Sequence, residues 1–324
     1  MVNQMSLNPS APSYESLEIP DQARGGIISI GNFDGVHEGH KNLIVQMKNH
    51  GSTLFKNPVP VVAITFSPHP LSILKPEIKL DFLSTTPQKK KLLESAGIDF
   101  VAILKTEDGL LDLEAKEFFE KIIVEKFRAR GIVEGADFHF GKNRIGNIQL
   151  LQNLCHDKNI EFKTALPYQM DGELVSSSKV RKAIHAGDMD QARKLLGRYY
   201  SIDGKVVTGA QRGRTIGFPT ANLENIQTIL PENGVYAAFC RLNAKTYACA
   251  VNIGPNPTFS ESSKKFEAHL INFSGDLYGQ NLEIHFIKKI RSIKTFADKK
   301  ELTEQLKLDV TQTMNLAGKK LETE

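Results

Sequence analysis

The sequence predicts two folded domains, an α/β domain with a parallel sheet and then an antiparallel barrel or sandwich that ends in an α-helix. In the first half, short apolar runs alternate with amphipathic stretches, which is the pattern of strands joined by helices. In the second half, β-type runs are separated by glycine, proline and asparagine. The 324 residues are enough for two domains of about 150 residues each.

The composition is that of an ordinary globular protein, with 40% hydrophobic and 24% charged residues. The net charge of +4 is too small to indicate a nucleic-acid or membrane partner. Cys155, Cys240 and Cys249 lack CxxC spacing, so we expect free thiols and a reducing, cytoplasmic compartment. The basic run Lys89–Lys91 is interpreted as a solvated helix face.

Strands and helices are predicted to alternate strictly in the first domain. Buried strands are predicted at Ile27–Ile30, Val61–Phe66, Phe100–Leu104, Gly131–Val133 and Phe162–Leu166. Helices are predicted around Leu43, Ile44 and Met47 with Gly51 as a stop, from Thr86 to Gly97, and from Phe118 to Phe127. This alternation implies a parallel sheet with ligands at the carboxyl ends of its strands.

The second half begins after a predicted helical pair, Ser178–Leu196, which is broken at Gly187. Strands are predicted at Val235–Arg241, Tyr247–Ile253, Phe266–Asn272 and Leu282–Ile287. A terminal helix follows, capped by Asp298 with Glu301 three residues on. We place a flexible N-terminal tail at residues 1–25, the first domain at 26–197 and the second at 198–324.

The turn Gly31–His40 follows the first predicted strand and leads into a helical pattern. Backbone N–H groups and a helix N-terminus favour phosphate there. If the helix starts near Val36, His37 and His40 share one face and can meet the charge of a transferring phosphoryl group. A metal pair or ordinary surface histidines are the alternatives, and no third ligand at finger-like spacing supports zinc.

Other motifs of the first domain have two interpretations each. Ser176–Arg181 offers hydroxyls, amides and two cations for a triphosphate, or a serine N-cap with solvated basic residues. Thr65–Pro70 aims His69 into the cleft, or its prolines only stop the strand. Gly135–Gly141 offers Asp137 as a polar contact and two aromatic residues as a wall, which core packing explains equally well.

The second half has one loop that is rich in glycine and other turn-forming residues, Gly209–Asn222. Its glycines let backbone approach a phosphate, and Thr220 and Asn222 offer hard oxygen ligands for a magnesium-bound nucleotide, or make an ordinary turn. Further on, alternation puts Glu267 on the strand face opposite the apolar one. There it faces water, or it takes the proton from an attacking hydroxyl in a closed cleft.

With these motifs in this order, the chain resembles the bacterial bifunctional riboflavin kinase/FAD synthetase family (riboflavin kinase/FMN adenylyltransferase) from about residue 27 onward. Gly31–His40 looks like its HxGH nucleotidyltransferase signature, which implies a Rossmann-like domain. Ser176–Arg181 looks like its SSTxIR-type motif, with Ser178 where threonine is usual. Gly217–Asn222 resembles the GxPTAN motif of its antiparallel β-barrel kinase domain, and Glu267–Leu270 resembles the segment holding its catalytic base.

The resemblance implies two reactions that use ATP and Mg²⁺. Riboflavin is phosphorylated to FMN in the barrel, and FMN is adenylylated to FAD with release of pyrophosphate in the α/β domain. The implied catalytic residues are Glu267 for the kinase and His37 and His40 for the adenylyltransferase. Implied nucleotide or phosphate contacts of the adenylyltransferase are Gly31, Phe33, Asp34, Gly39, Ser176, Ser177, Ser178 and Arg181. Its implied flavin or cleft contacts are Phe66, His69 and Asp137.

In the kinase, the resemblance implies nucleotide or phosphate contacts at Gly213, Gly217, Pro219, Thr220 and Asn222, and metal ligands at Thr220 and Asn222. The expected partners are riboflavin, FMN, FAD, ATP and pyrophosphate, without nucleic acid or membrane, and the chain is expected as a monomer or weak homo-oligomer. Two other hypotheses are open: only one half is catalytically competent, or the chain is a flavin-binding regulatory protein.

Overall fold

The computed structural model describes residues 18–106, 109–209, 212–243, 245–256 and 261–321. These residues form two compact units, the first with residues 18–80 and 86–174 and the second with residues 81–85 and 175–321. Within these ranges, no helix is both long enough and apolar enough to cross a membrane.

The first unit is an α/β fold. Its elements are β1 (Ile27–Ile30), α1 (Glu38–Leu54), β2 (Val61–Ser67), α2 (Pro70–Leu74), α3 (Thr86–Ser95), β3 (Phe100–Lys105), α4 (Ala115–Phe118), a π-helical segment (Phe119–Lys126), β4 (Gly131–Gly135), β5 (His139–Phe140), β6 (Gly146–Asn147), α5 (Ile148–Asp157), β7 (Glu161–Ala165), β8 (Gln169–Met170) and β9 (Glu173–Leu174). Short 3-10 helices lie at Asp21–Ala23, Leu110–Asp112 and Lys142–Arg144. The main sheet has the order β3-β2-β1-β4-β7 and is parallel throughout, so the predicted parallel sheet is confirmed.

The strand order of this sheet reverses between β1 and β4, because β2 and β3 lie on one side of β1 and β4 and β7 on the other. The two strands pair only through Ile27 with Gly131 and Ile28 with Ile132. Open α/β sheets bind their ligands outside the carboxyl ends of the strands at such a reversal. The turn that begins at Gly31 leaves β1 at this place.

Apolar clusters cover both faces of the sheet. One cluster joins Ile28 to the π-helical segment through Phe119. The other joins Ile27 to Ile44 and Met47 of α1. Successive residues of a strand point to opposite faces, and burial on both faces is typical of a parallel sheet.

The first helix differs from its prediction at both ends. It begins at Glu38 rather than near Val36, and it continues past Gly51. A Cβ at Gly51 would lie 3.2 Å from Cγ1 of Ile27. Glycine therefore stands there because the helix packs closely against β1, not because the helix ends.

The predicted tail of residues 1–25 also differs from the structure in its last part. Residues 1–17 lie outside the described residues. Ile19 and Ala23 are buried in the same core cluster as β1, so the packed fold begins before residue 25.

The second unit is a closed antiparallel barrel with the strand order β10-β11-β14-β13-β12-β15. Its elements are α6 (Ser177–His185), α7 (Met189–Leu196), β10 (Ser201–Val207), α8 (Arg212–Thr215), β11 (Ala221–Glu224), β12 (Gly234–Leu242), β13 (Lys245–Asn256), β14 (Glu261–Leu270), β15 (Asn281–Arg291) and α9 (Lys299–Leu321). The barrel, rather than a sandwich, is thus the correct alternative. The cap of α9 is confirmed, since the backbone N–H of Glu301 donates to Oδ1 of Asp298 at 2.8 Å.

The strand predictions in this half need correction. The strand predicted at Phe266–Asn272 ends at Leu270. The strands β10 and β11 are not predicted, and Asn222 of the predicted loop lies in β11. The helical pair is present, with its break at Gly187, and packs with the second unit. The predicted boundary between the two domains, at residues 197 and 198, stays a prediction.

Candidate active sites

The turn after β1 has an unusual backbone. The φ angles of Phe33, Gly35 and Val36 are 47°, 79° and 39°. A positive φ is uncommon for non-glycine residues and is strained for β-branched valine. Phe33 and Val36 are both buried, so core packing holds them in this conformation. Strained backbone of this kind persists only where packing around it holds it in place, and it is concentrated at functional sites.

The two predicted imidazoles lie face to face where this turn enters α1. His37 is the N-cap residue of α1, and its Nδ1 accepts a hydrogen bond from the backbone N–H of His40 at 3.3 Å. Their ring centroids are 3.7 Å apart with 14° between the planes, and the ring of Phe33 meets His40 edge-on at 5.3 Å. Two imidazoles beside a helix N-terminus can stabilise charge on a transferring phosphate. In the described part of the chain, no group of three or more His, Cys, Asp or Glu is placed to hold a metal ion.

A buried lysine behind this turn corrects the interpretation of the basic run. Lys89 is only 7% exposed, whereas Lys90 and Lys91 are exposed. Its Nζ donates to Oγ1 of Thr65 at 3.3 Å. The face of α3 that carries Lys89 is packed, because Leu93 one turn later is fully buried.

The loop after β2 uses its histidine as a helix cap. Nδ1 of His69 accepts from the backbone N–H of Leu71 at 3.1 Å, and Pro70 is the first residue of α2. Phe66, the second predicted cleft residue, packs against the core cluster that contains the π-helical segment. Both residues thus have structural contacts, and their predicted contact with flavin stays a prediction.

The loop after β4 separates an exposed carboxylate from packed aromatic rings. Asp137 is exposed, and its carbonyl oxygen lies 2.8 Å from Nδ1 of His139. The rings of Phe138 and Phe140 are stacked at 5.6 Å and pack in the core cluster, in agreement with the core-packing interpretation. The contact predicted for Asp137 is not tested by these interactions.

A buried glutamate, Glu134, is the second-to-last residue of β4 and belongs to none of the predicted motifs. Glu134 accepts hydrogen bonds from the backbone N–H of Ile30 at 2.5 Å and from Oγ of Ser29 at 3.2 Å. Burial raises the pKa of Glu134 to about 8, although these hydrogen bonds act in the opposite direction. The carboxyl group thus ties β4 to β1 beyond their last paired residues, at the reversal in strand order.

The motif Ser176–Arg181 lies in the second unit, at the start of α6. Ser176 is the N-cap residue, and its hydroxyl accepts from the backbone N–H of Lys179 at 3.4 Å. Nε of Arg181 donates to the carbonyl oxygen of Asp81 at 2.6 Å. The serine N-cap is therefore confirmed, but its two basic residues are half-buried rather than solvated. Ser177 is half-buried and Ser178 exposed, and their predicted phosphate contacts stay predictions.

Close backbone approaches shape the glycine-rich loop before β11. The backbone N–H of Phe218 donates to the carbonyl oxygen of Gly213 at 2.8 Å, and a Cβ at Gly213 would collide with the carbonyl oxygen of Phe218. Gly217 has a φ of 86°, which favours glycine. Pro219 and Thr220 follow and are exposed.

Three polar residues form a row across the barrel wall. Glu267 on β14 is the direct cross-strand partner of Asn222 on β11 and of Asn252 on β13. Directly opposed residues of neighbouring strands share one face of a sheet, so these three side chains lie on the same face. Phe266 and Ala268 are buried and point to the other face, as the alternation predicts. Asn252 is a member of this row that the predicted site omits.

His269 connects the strand of Glu267 to the glycine-rich loop. Its Nδ1 lies 2.7 Å from the carbonyl oxygen of Pro219, and its ring meets Phe218 edge-on at 5.6 Å. Burial lowers the pKa of His269, so the neutral ring that donates from Nδ1 is favoured. This contact fixes the backbone next to Thr220. In the sequence, the only sign of this role is that His269 lies two residues after Glu267.

Two family models match the chain in the order of its two folds. The FAD synthetase model matches residues 19–179, and the riboflavin kinase model matches residues 196–317.

Curated relatives named bifunctional riboflavin kinase/FMN adenylyltransferase match most of the chain. The protein of Buchnera aphidicola subsp. Schizaphis graminum is 36% identical over 288 residues, which are 87% of this chain and 91% of the relative. That of Escherichia coli K12 is 33% identical over 286 residues, 88% and 90% of the two chains. A crystal structure of a macrolide-efflux protein from Streptococcus pneumoniae matches with a TM-score of 0.82 at 28% identity, covering 94% of this chain and 97% of that one.

Proposed function

The chain belongs to the family of bifunctional riboflavin kinase/FMN adenylyltransferases, and we propose that His37 and His40 of the first unit act in adenylyl transfer, whereas Glu267 of the second unit acts in the kinase reaction. It is a transferase that phosphorylates riboflavin with ATP and adenylylates FMN with ATP to give FAD. One observation carries the division: the stacked imidazoles of His37 and His40 lie in the first unit, and the row centred on Glu267 lies in the second.

In adenylyl transfer, a phosphate oxygen of FMN forms a bond to the α-phosphorus of ATP while the bond to pyrophosphate breaks. Such a transfer needs positioning and charge stabilisation rather than a covalent enzyme intermediate. We assign His37 and His40 to hydrogen bonds with the reacting phosphates. Their stacked rings at the start of α1 support this role, because α1 and the packed turn fix both of them.

As the family motif implies, we propose that Ser177 and Arg181 contact phosphate in adenylyl transfer. The bond from Arg181 to the Asp81 carbonyl oxygen supports a guanidinium group held in one position. Gly31, Phe33, Asp34, Gly39, Ser176 and Ser178 are proposed as further nucleotide contacts, and Phe66, His69 and Asp137 as flavin or cleft contacts.

In the kinase reaction, the terminal ribityl hydroxyl of riboflavin attacks the γ-phosphorus of ATP, and the bond to ADP breaks. We assign Glu267 to accept the hydroxyl proton, because its strand fixes it between Asn222 and Asn252 on one face of the barrel wall. Gly213, Gly217 and Pro219 are proposed to bring loop backbone close to the phosphates.

The residues at the end of this loop fit a magnesium ion. The Thr220 hydroxyl and the Asn222 amide oxygen are hard oxygen ligands, and Asn222 lies directly opposite the Glu267 carboxylate. A Cβ at Gly209 would enter the space of the Asn222 side chain, so glycine leaves room for that amide group. We propose Mg²⁺ at Thr220 and Asn222, where it would neutralise phosphate charge.

We further propose that the enzyme works in the cytoplasm on small molecules, as a monomer or weak homo-oligomer. Three free, buried cysteines support a reducing compartment.

Chromatography of the products from riboflavin and Mg-ATP tests the proposal. We expect FMN and then FAD from the unmodified protein. FMN without FAD would indicate that only the kinase is competent, and tight flavin binding without ATP consumption would indicate a regulatory protein. Either result would contradict the proposal.

A further inference from the structure

One buried charge beside the adenylyltransferase residues is not used by the reactions described so far. Lys89 belongs to α3 and is 7% exposed, although its neighbours in the basic run are exposed. Burying an ammonium group is unfavourable unless it is paired and hydrogen-bonded. The partners of this group therefore indicate why the fold buries it.

Two contacts join α3 to the carboxyl end of β2. Oγ1 of Thr86 lies 3.3 Å from Oγ of Ser67, and Nζ of Lys89 donates to Oγ1 of Thr65 at 3.3 Å. Thr86 and Lys89 are three residues apart, so they share one face of the helix. The ammonium group is thus directed at the end of β2, next to the start of the turn that carries the imidazoles.

Thr65 extends this contact to the turn itself. Its hydroxyl accepts from Lys89 and donates to the carbonyl oxygen of Asn32 at 3.2 Å. Asn32 precedes the strained residue Phe33 and lies five residues before His37. A chain of hydrogen bonds therefore runs from α3 through β2 into the backbone that positions His37.

The second partner of Lys89 is electrostatic. Asp34 is a carboxylate in the turn and is only 4% exposed. Burial lowers the pKa of Lys89, and the charge of Asp34 opposes that change. A triphosphate is strongly anionic, so a buried carboxylate beside it would repel it unless a cation offsets its charge.

We propose that Lys89 is a positioning residue for adenylyl transfer, which offsets the charge of Asp34 and holds the Asn32 carbonyl group through Thr65. This inference rests on the proposed function of the first unit and assigns a role to a residue that the sequence places only in a basic run.

The test is steady-state adenylylation of supplied FMN with Mg-ATP by Lys89→Met, with Lys90→Met as the matched control on the same helix. Because small displacements of reacting groups lower rates by about 100-fold, we expect a fall of that order in kcat/KM for Lys89→Met. Lys90→Met should match the unmodified protein. Kinase activity of the same samples should be unchanged, which shows that the second unit is intact, and the thermal unfolding curve shows whether the first unit is folded. Equal kcat/KM in the two variants would overturn the inference.

A double-mutant cycle with Asp34→Asn distinguishes positioning by charge from a purely structural role. Asp34→Asn should lower kcat/KM for adenylylation by a smaller factor in the Lys89→Met background than in the unmodified protein. The two factors should differ about fivefold or more. Additive effects would overturn the role as a counter-charge.

If Lys89→Met does not fold, Lys89→Arg and Lys89→Gln provide the comparison. We expect Lys89→Arg to retain most FAD formation because it keeps the charge, and Lys89→Gln to lose most of it. Equal activities of these two variants would overturn the inference. The unmodified protein tests the proposed function separately, because failure of that protein to form FAD would contradict the function. FAD formation at full rate by Lys89→Met would contradict only the role of Lys89.

Discussion

The sheet edge of the first unit and the barrel wall of the second fix their polar groups by different means. At the sheet edge, a strained turn and a helix N-terminus hold His37 and His40, while Thr65 bonds the turn and Lys89 bonds Thr65. On the barrel wall, strand register alone places Glu267 opposite two asparagines. The first arrangement depends on contacts distant in sequence, and the second follows from the period of a β-strand.

The largest effect is expected at the barrel wall, from Glu267→Gln. A positioned general base contributes about 10²–10⁴-fold, so FMN formation from riboflavin should fall by that factor, as measured by chromatography of initial rates. Adenylylation of supplied FMN should persist. Glu224→Gln on the neighbouring strand β11 is exposed and serves as the matched control. A kinase rate in Glu267→Gln equal to that of the control would exclude the assigned base.

The next largest effect is expected at the sheet edge, from His40→Ala. Removing one donor that stabilises transition-state charge lowers rates by about 10²–10³-fold, so FAD formation should fall by that factor while FMN accumulates. His156→Ala is the control, because the His156 side chain is 89% exposed in the same unit. If FAD formation is equally fast in both variants, the imidazoles do not stabilise the transfer.

A smaller effect is expected where the barrel wall meets its loop, from His269→Phe. The bond to the Pro219 carbonyl oxygen is worth about 1 kcal/mol, so its loss should change kcat/KM of the kinase for ATP roughly fivefold. His269→Gln retains a donor and should recover part of this loss. Initial rates over a range of ATP concentrations measure both variants. An identical loss in both would show that the bond does not position the loop.

The last expected effect is on stability rather than on rate, at Glu134. The folded protein keeps the Glu134 proton up to a pKa of about 8, whereas the ordinary pKa of a glutamate side chain is 4.5. The folded state thus binds more protons between these values, and the free energy of unfolding should fall as pH rises through that window. Glu134→Gln should remove this part of the pH dependence, and exposed Glu94→Gln should not. Thermal unfolding from pH 5 to 9 measures it, and parallel curves for the two variants would contradict it.

The parts of the fold that follow local sequence patterns could be predicted. Apolar runs bounded by turn residues identify all five strands of the parallel sheet, and alternation around Glu267 gives the correct strand face. By contrast, β10 and β11 are missed because Asp203 and Gly204 interrupt the first and a glycine-rich loop leads into the second. The helix α5 is missed, although Leu151 and Cys155 form its buried stripe.

The positioning residues could not be predicted for a different reason. Lys89 stands in a run of three lysines, and only the rotation of α3 against β2 shows which one is buried. Glu134 looks like the polar end of an apolar strand, and its partners Ser29 and Ile30 are more than 100 residues away in sequence. A one-dimensional pattern does not contain such tertiary contacts.

The most direct test of the central claim is product analysis of the His40→Ala and Glu267→Gln variants, each alone and mixed, with riboflavin and Mg-ATP. The division of residues between two units predicts that His40→Ala stops at FMN, that Glu267→Gln leaves riboflavin, and that the mixture forms FAD. Loss of both activities in either single variant, with the protein still folded, would contradict the division.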